Sequence, residues 1–149
     1  MTPEPQAGVT PPEGPTEVMR EAATRRGQGF FRAAVMAAYD GRCCITRIHC
    51  PPLLRASHIV PWAAEPALRL DPRNGLCLNA MHDAAFDNGL ITLSERFELS
   101  ISKRLKTTIP SRVYKEMFAE REGVPITLPE RFRPSQEALD FHRRTIFRQ

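Results

Sequence analysis

The chain has little that would mark a membrane, secreted or disulfide-stapled protein. Its 149 residues contain no apolar run approaching the roughly 18 needed to span a bilayer. The opening MTPEPQAGVTPPEGPT lacks the basic start and apolar stretch of a secretory signal. Cysteine is sparse and unpaired in pattern. There are four, Cys43, Cys44, Cys50 and Cys77, with no C-x-x-C among them, and such cysteines are usually buried small hydrophobes. Aromatics are few, and Trp62 is the sole tryptophan. These absences lead us to expect a soluble cytoplasmic protein with no membrane partner.

What is present is one domain's length of chain, 42% hydrophobic, with a net charge of +4. The excess is concentrated toward the end: residues 101–149 carry eleven Lys/Arg against six Asp/Glu. A basic balance of this size fits a polyanion such as nucleic acid, although a solvated helix face would look the same.

Residues 1–16 hold five prolines and no apolar periodicity, and are expected to form a disordered tail before a single domain over 17–149. Apolar residues at helical spacing predict a helix from about Thr16, an interruption at Gly27 and Gly29, and a second helix over Phe30–Tyr39. Arg25, Arg26, Gln28 and Arg32 form a basic edge beside it. Two apolar runs, Cys43–Ile48 and Leu53–Val60, read as strands joined through Pro51-Pro52. A long loop follows to Asn74-Gly75, and Leu76–Phe86 has room for a helix starting near Asn79. Ile91–Leu93 and Phe97–Ile101 read as a β-hairpin. Helices are expected near Ser111–Arg121 and Ser135–Phe147.

Within thirty residues the sequence sets out the groups that phosphodiester hydrolysis requires. The anionic diester repels nucleophiles, so a catalyst needs a base to make hydroxide and a cation to stabilise the developing charge. His58, at a strand end, titrates near neutrality and is suited to be that base. Asp83 and Asp87, four apart, project from one helix face, and two hard oxygen donors suit Mg²⁺ or Mn²⁺. Taken singly, each has an ordinary reading: a core histidine, a solvated helix face, a turn at Asn74-Gly75. Their order and spacing point to chemistry.

RCCITR (42–47), LLRASHIVPW (53–62), RLDPRNGLCLNAMHDAAFDNGLIT (69–92) and SISKRL (100–105) together resemble the HNH, or ββα-metal, endonucleases of bacterial restriction and defence systems. The likeness extends into RRGQGFFRAAV (25–35) and GVPITLPERFRPSQEALDFHRRTIF (123–147), covering roughly residues 20–149. The resemblance implies an α+β fold: a ββα-metal core with flanking helices and a second small hairpin. It implies a metal-dependent nuclease acting on DNA, most naturally double-stranded, with His58 activating water and Asn74 bracing the loop that orients it. The helix ligands of many members fall nine and thirteen residues after the asparagine, on Asp83 and Asp87. His82, one residue earlier, is a weaker candidate for the same ion.

Two departures stand out. Many members place a further metal ligand just before the catalytic histidine, where this chain has Ser57. Many also carry two C-x-x-C pairs around a structural zinc, and the matching places here read Cys43/Thr46 and Asn79/His82, so structural zinc is not expected. Arg55, Arg69 and Arg73 flank the site as candidate phosphate contacts or as structural or solvated side chains. Trp62 is a candidate to stack on a base or, more commonly for a lone tryptophan, to cap the core, and Lys103 and Arg104 add a basic run after the hairpin. Open alternatives are a DNA-binding module without catalysis, a zinc-stabilised protein-interaction domain, and a nuclease subunit, homodimeric or within a larger targeting complex.

Overall fold

A computed structural model describes residues 14–61 and 64–149, so residues 1–13 of the proline-rich tail, and Trp62, lie outside the described residues. The first element is one continuous helix, α1 (Gly14–Ala38), two residues earlier than the sequence suggests and uninterrupted by Gly27 and Gly29. A helical glycine costs only about 1 kcal/mol relative to alanine, which a long helix with a packed end tolerates. Gly27 also makes room: a Cβ there would sit 2.9 Å from Leu70. Toward its end α1 buries Phe31 and Val35, one turn apart, and Tyr39, just past its last residue, is buried a turn further on.

The segment Cys43–Ile48 is not a strand. It folds into a tight turn in which Cys43 N donates to Ile48 O and Arg47 N donates to Cys43 O, with Arg47 at a φ of 66°. Its apolar residues are buried as loop residues, which hydrophobicity alone does not distinguish from a strand.

The first strand is β1 (Leu54–His58), and its antiparallel partner is β2 (Gly75–Asn79), on the far side of the long loop. The register pairs Leu54 with Asn79 and His58 with Gly75. All five residues of β2 are buried. Its Gly75 faces α1, where an added Cβ would stand 2.5 Å from Val35 Cγ2 and 2.8 Å from Phe31 Cζ. Helix α2 (Ala80–Asp87) follows at once, because the Asn79 side chain accepts from the backbone N–H groups of Met81 and His82 and caps it. Strand, loop, strand and helix thus make a ββα unit, with α1 and α2 each packed on both strands.

A second antiparallel pair, β3 (Ile91–Leu93) and β4 (Leu99–Ile101), matches the expected hairpin. Short helices α3 (Leu105–Thr108), α4 (Ser111–Met117) and α5 (Gln136–Phe141) complete the chain, with a π-turn over His142–Ile146 extending α5. Ser135 caps α5 by accepting from Ala138 N, as its position before Gln136-Glu137 predicts. Leu54, Leu76, Leu78, Phe86, Ile91, Leu93, Phe118 and Leu139 belong to one core shared by both sheets and the helices around them. Among the described residues, no helix is long and apolar enough to cross a membrane.

Candidate functional site

His58 ends β1, and its ring lies flat on Phe31 of α1, centroids 4.0 Å apart and planes 9° from parallel. Its Nε2 stands 2.9 Å from the carbonyl oxygen of Arg69. A carbonyl can only accept, so Nε2 carries a proton, and in the neutral imidazole the lone pair then falls to Nδ1. Ring plane and tautomer are therefore both fixed by neighbours.

Asn74 is 1% exposed and ties the long loop to the strand that carries His58. Its Oδ1 accepts from Val60 N at 2.9 Å, while Nδ2 donates to Val60 O at 3.2 Å and to Leu68 O at 3.3 Å. Its own carbonyl accepts from Ile59 N. Leu68 directly precedes Arg69, so one side chain joins the backbone just after His58 to the backbone just before that histidine's acceptor.

Asp83 and Asp87, one turn apart on α2, line the same cleft of about 490 Å³ as His58, Ser57 and Arg55. Withdrawal from water, and then the negative charge of Asp83, push the Asp87 carboxyl up to about 6. Ser57 is turned to the opposite face of β1 from His58 by strand alternation. Its hydroxyl oxygen is buried with no hydrogen-bond partner. The two carboxylates offer hard oxygen donors of the kind a divalent cation such as Mg²⁺ or Mn²⁺ prefers. Among the described residues no three His, Cys, Asp or Glu side chains could hold an ion by themselves, so water and substrate oxygens would have to complete its shell.

Residues 43–94 match the model of the HNH endonuclease family. Over that stretch, about a third of its length, the chain is similar to the HNH endonucleases. Among solved structures, the chain is similar to "Modification dependent TagI restriction endonuclease", with a TM-score of 0.55 and 18% identity. The match covers 78% of this chain and 37% of that one, a likeness of fold. No curated protein matches the chain.

In the HNH unit His82 does not face the cleft, which corrects its candidacy as a ligand. It is fully buried, its Nε2–H donates to Met117 O at 2.9 Å, and its Nδ1 accepts from Asn79 Nδ2 at 2.8 Å. Burial lowers its pKa, helped by the Arg121 charge against a contrary pull from the Met117 bond, and keeps it neutral. The four places compared with a zinc site above meet here in hydrogen bonds: Asn79 Nδ2 also approaches Cys43 Sγ and Thr46 Oγ1, both at 3.4 Å.

Of the expected phosphate contacts, only Arg55 lines the cleft. Arg73 is engaged by Asp71 through two side-chain bonds, of 3.2 and 3.1 Å. Arg69 contributes its carbonyl to His58, and its side chain does not line the cleft. Lys103 lines a different groove, beside β4, and Arg104 lines neither. Conversely, Gln28 and Arg32 of α1 and His142 and Ile146 of the C-terminal turn do line it. The sequence shows Gln28 and Arg32 only as a basic edge, since the phase of α1 relative to the core depends on its running unbroken through Gly27 and Gly29. His142 carried no local motif. Thr92 Oγ1–H donates to its Nδ1 at 2.7 Å and its Nε2–H donates to Phe86 O at 2.9 Å, locking the C-terminal turn onto α2.

Proposed function

We propose that this chain is a divalent-metal-dependent endonuclease that hydrolyses phosphodiester bonds in double-stranded DNA. The observation that supports this most is the convergence of His58, Asp83 and Asp87 on one cleft, with the His58 tautomer set by the Arg69 carbonyl. In this reading Nδ1 of His58 takes the proton from the attacking water. Asn74 keeps the imidazole aligned through the loop. Asp83 and Asp87 hold Mg²⁺ or Mn²⁺. When bound, the ion stabilises the charge that develops on the phosphate and the leaving oxygen.

The structural neighbour is named as a modification-dependent restriction enzyme, and this chain spans 37% of its length. That favours a restriction or phage-defence setting in which this chain supplies cleavage and another component supplies targeting. A DNA-binding module without catalysis is the rival reading. Incubation of purified protein with plasmid separates the two. Nicked or linear product with Mg²⁺ or Mn²⁺, abolished by EDTA and by Asp83→Asn with Asp87→Asn, is expected. DNA binding without cleavage at any divalent ion would establish the rival.

A further inference from the structure

Two arginines meet at the rim of the cleft with no acidic partner among the described residues. Arg32, from α1, donates from Nη1 to the carbonyl of Leu54 at 3.3 Å. Arg55, from β1, donates from Nη1 to that same oxygen at 2.9 Å and to Pro52 O at 3.1 Å. A shared acceptor keeps the two guanidinium groups side by side, although like charges repel at that range. The ion pairs among the described residues involve Arg73, Arg112, Arg143 and Arg144, and neither Arg32 nor Arg55. Each guanidinium has five N–H donors and commits one nitrogen here, so both keep donors for a further acceptor. Gln28, one turn before Arg32 on α1, lines the same cleft as His58, Asp83 and Asp87.

Two adjacent, uncompensated guanidiniums held in place by the backbone are matched in charge and geometry by a phosphate, whose oxygens accept paired N–H bonds. We propose that Arg32 and Arg55 form a clamp for a backbone phosphate of the DNA strand that enters the cleft. The clamp rests on the nuclease reading above and extends it. Half of it comes from α1, outside residues 43–94, so the family-matched stretch does not complete the substrate site alone. The two arginines touch the sugar–phosphate backbone and so contribute affinity and strand position without sequence preference.

The test measures DNA binding separately from cleavage. In a His58→Ala background, a short duplex is titrated by fluorescence anisotropy over a range of salt concentrations, with Arg32→Gln, Arg55→Gln and both. Each replacement is expected to weaken binding by about 3- to 10-fold and to lower the slope of log K against log salt by about one. Arg32→Lys should keep most of the slope, and Arg112→Gln, in an exposed ion pair on α4, should change neither quantity. A role confined to docking α1 on β1 would lower the melting temperature and leave the salt slope alone. Unchanged affinity and slope in the double variant would overturn the clamp while leaving the nuclease reading intact. Failure of the His58→Ala parent to bind DNA would overturn both.

Discussion

Phe31 and His58 are stacked face to face at 4.0 Å, so a side chain from the long first helix sets the plane of the proposed catalytic base. The stack depends on α1 lying close to β2, and that closeness depends on Gly75, the residue paired with His58. An alanine Cβ would press on both Val35 and Phe31. We expect Gly75→Ala to cost about 1–3 kcal/mol of stability, as overpacking does. It should also slow cleavage at temperatures where the protein stays folded. Thermal melting with a rate measurement well below the transition checks both; a variant with unchanged melting and rate would show that α1 gives way without disturbing His58.

Asn74→Ala removes three hydrogen bonds and leaves Val60 N, Val60 O and Leu68 O without their partner. Each buried group left unsatisfied costs roughly 1–3 kcal/mol. Because the loop it ties also carries the Arg69 carbonyl, turnover should drop by around 10²-fold, the scale of a displacement of about an ångström in a catalytic group. Mn²⁺ affinity, read by calorimetry, should stay the same. A variant that loses metal affinity and keeps turnover at saturating metal would assign Asn74 to the metal site.

Acid should loosen the fold through His142. Burial, with the nearby Arg143 charge, drops its pKa from 6.5 to about 4 despite the hydrogen bond to Phe86 O. The unfolded chain therefore binds the extra proton first as pH falls, so this contribution is fully present above about 6.5 and is lost on descent toward 4. Between about pH 7 and about pH 5 it amounts to roughly 2 kcal/mol. Urea unfolding at the two pH values should show that loss, and His142→Gln, less stable at neutral pH, should show a smaller one. An equal pH dependence in both proteins would place the titration elsewhere.

The central motif was legible in the sequence because it is local. Spacing alone puts Asp83 and Asp87 on one helix face, and the order of the motif places His58 at a strand end, which the β1–β2 pairing brings to the same cleft. The second hairpin was legible too, from apolar triplets around Ser94-Glu95-Arg96. The strand β2 was not, because both its faces are covered and Leu76-Cys77-Leu78 runs into the helix without alternation or break. His82 misled for a related reason. Polarity suggests a ligand, but whether its ring meets the cleft or Met117 depends on how α4 packs. Arg32 needed the tertiary fold outright, since it reaches Leu54 from 22 residues away.

Of the proposed roles, that of His58 as general base is the most directly measurable. Plasmid cleavage at saturating Mg²⁺ or Mn²⁺ should fall by about 10²–10⁴-fold in His58→Ala, the usual contribution of a general base. The variant should still melt cooperatively and bind duplex DNA. A His58→Ala protein that cuts at the wild-type rate would contradict the proposed mechanism.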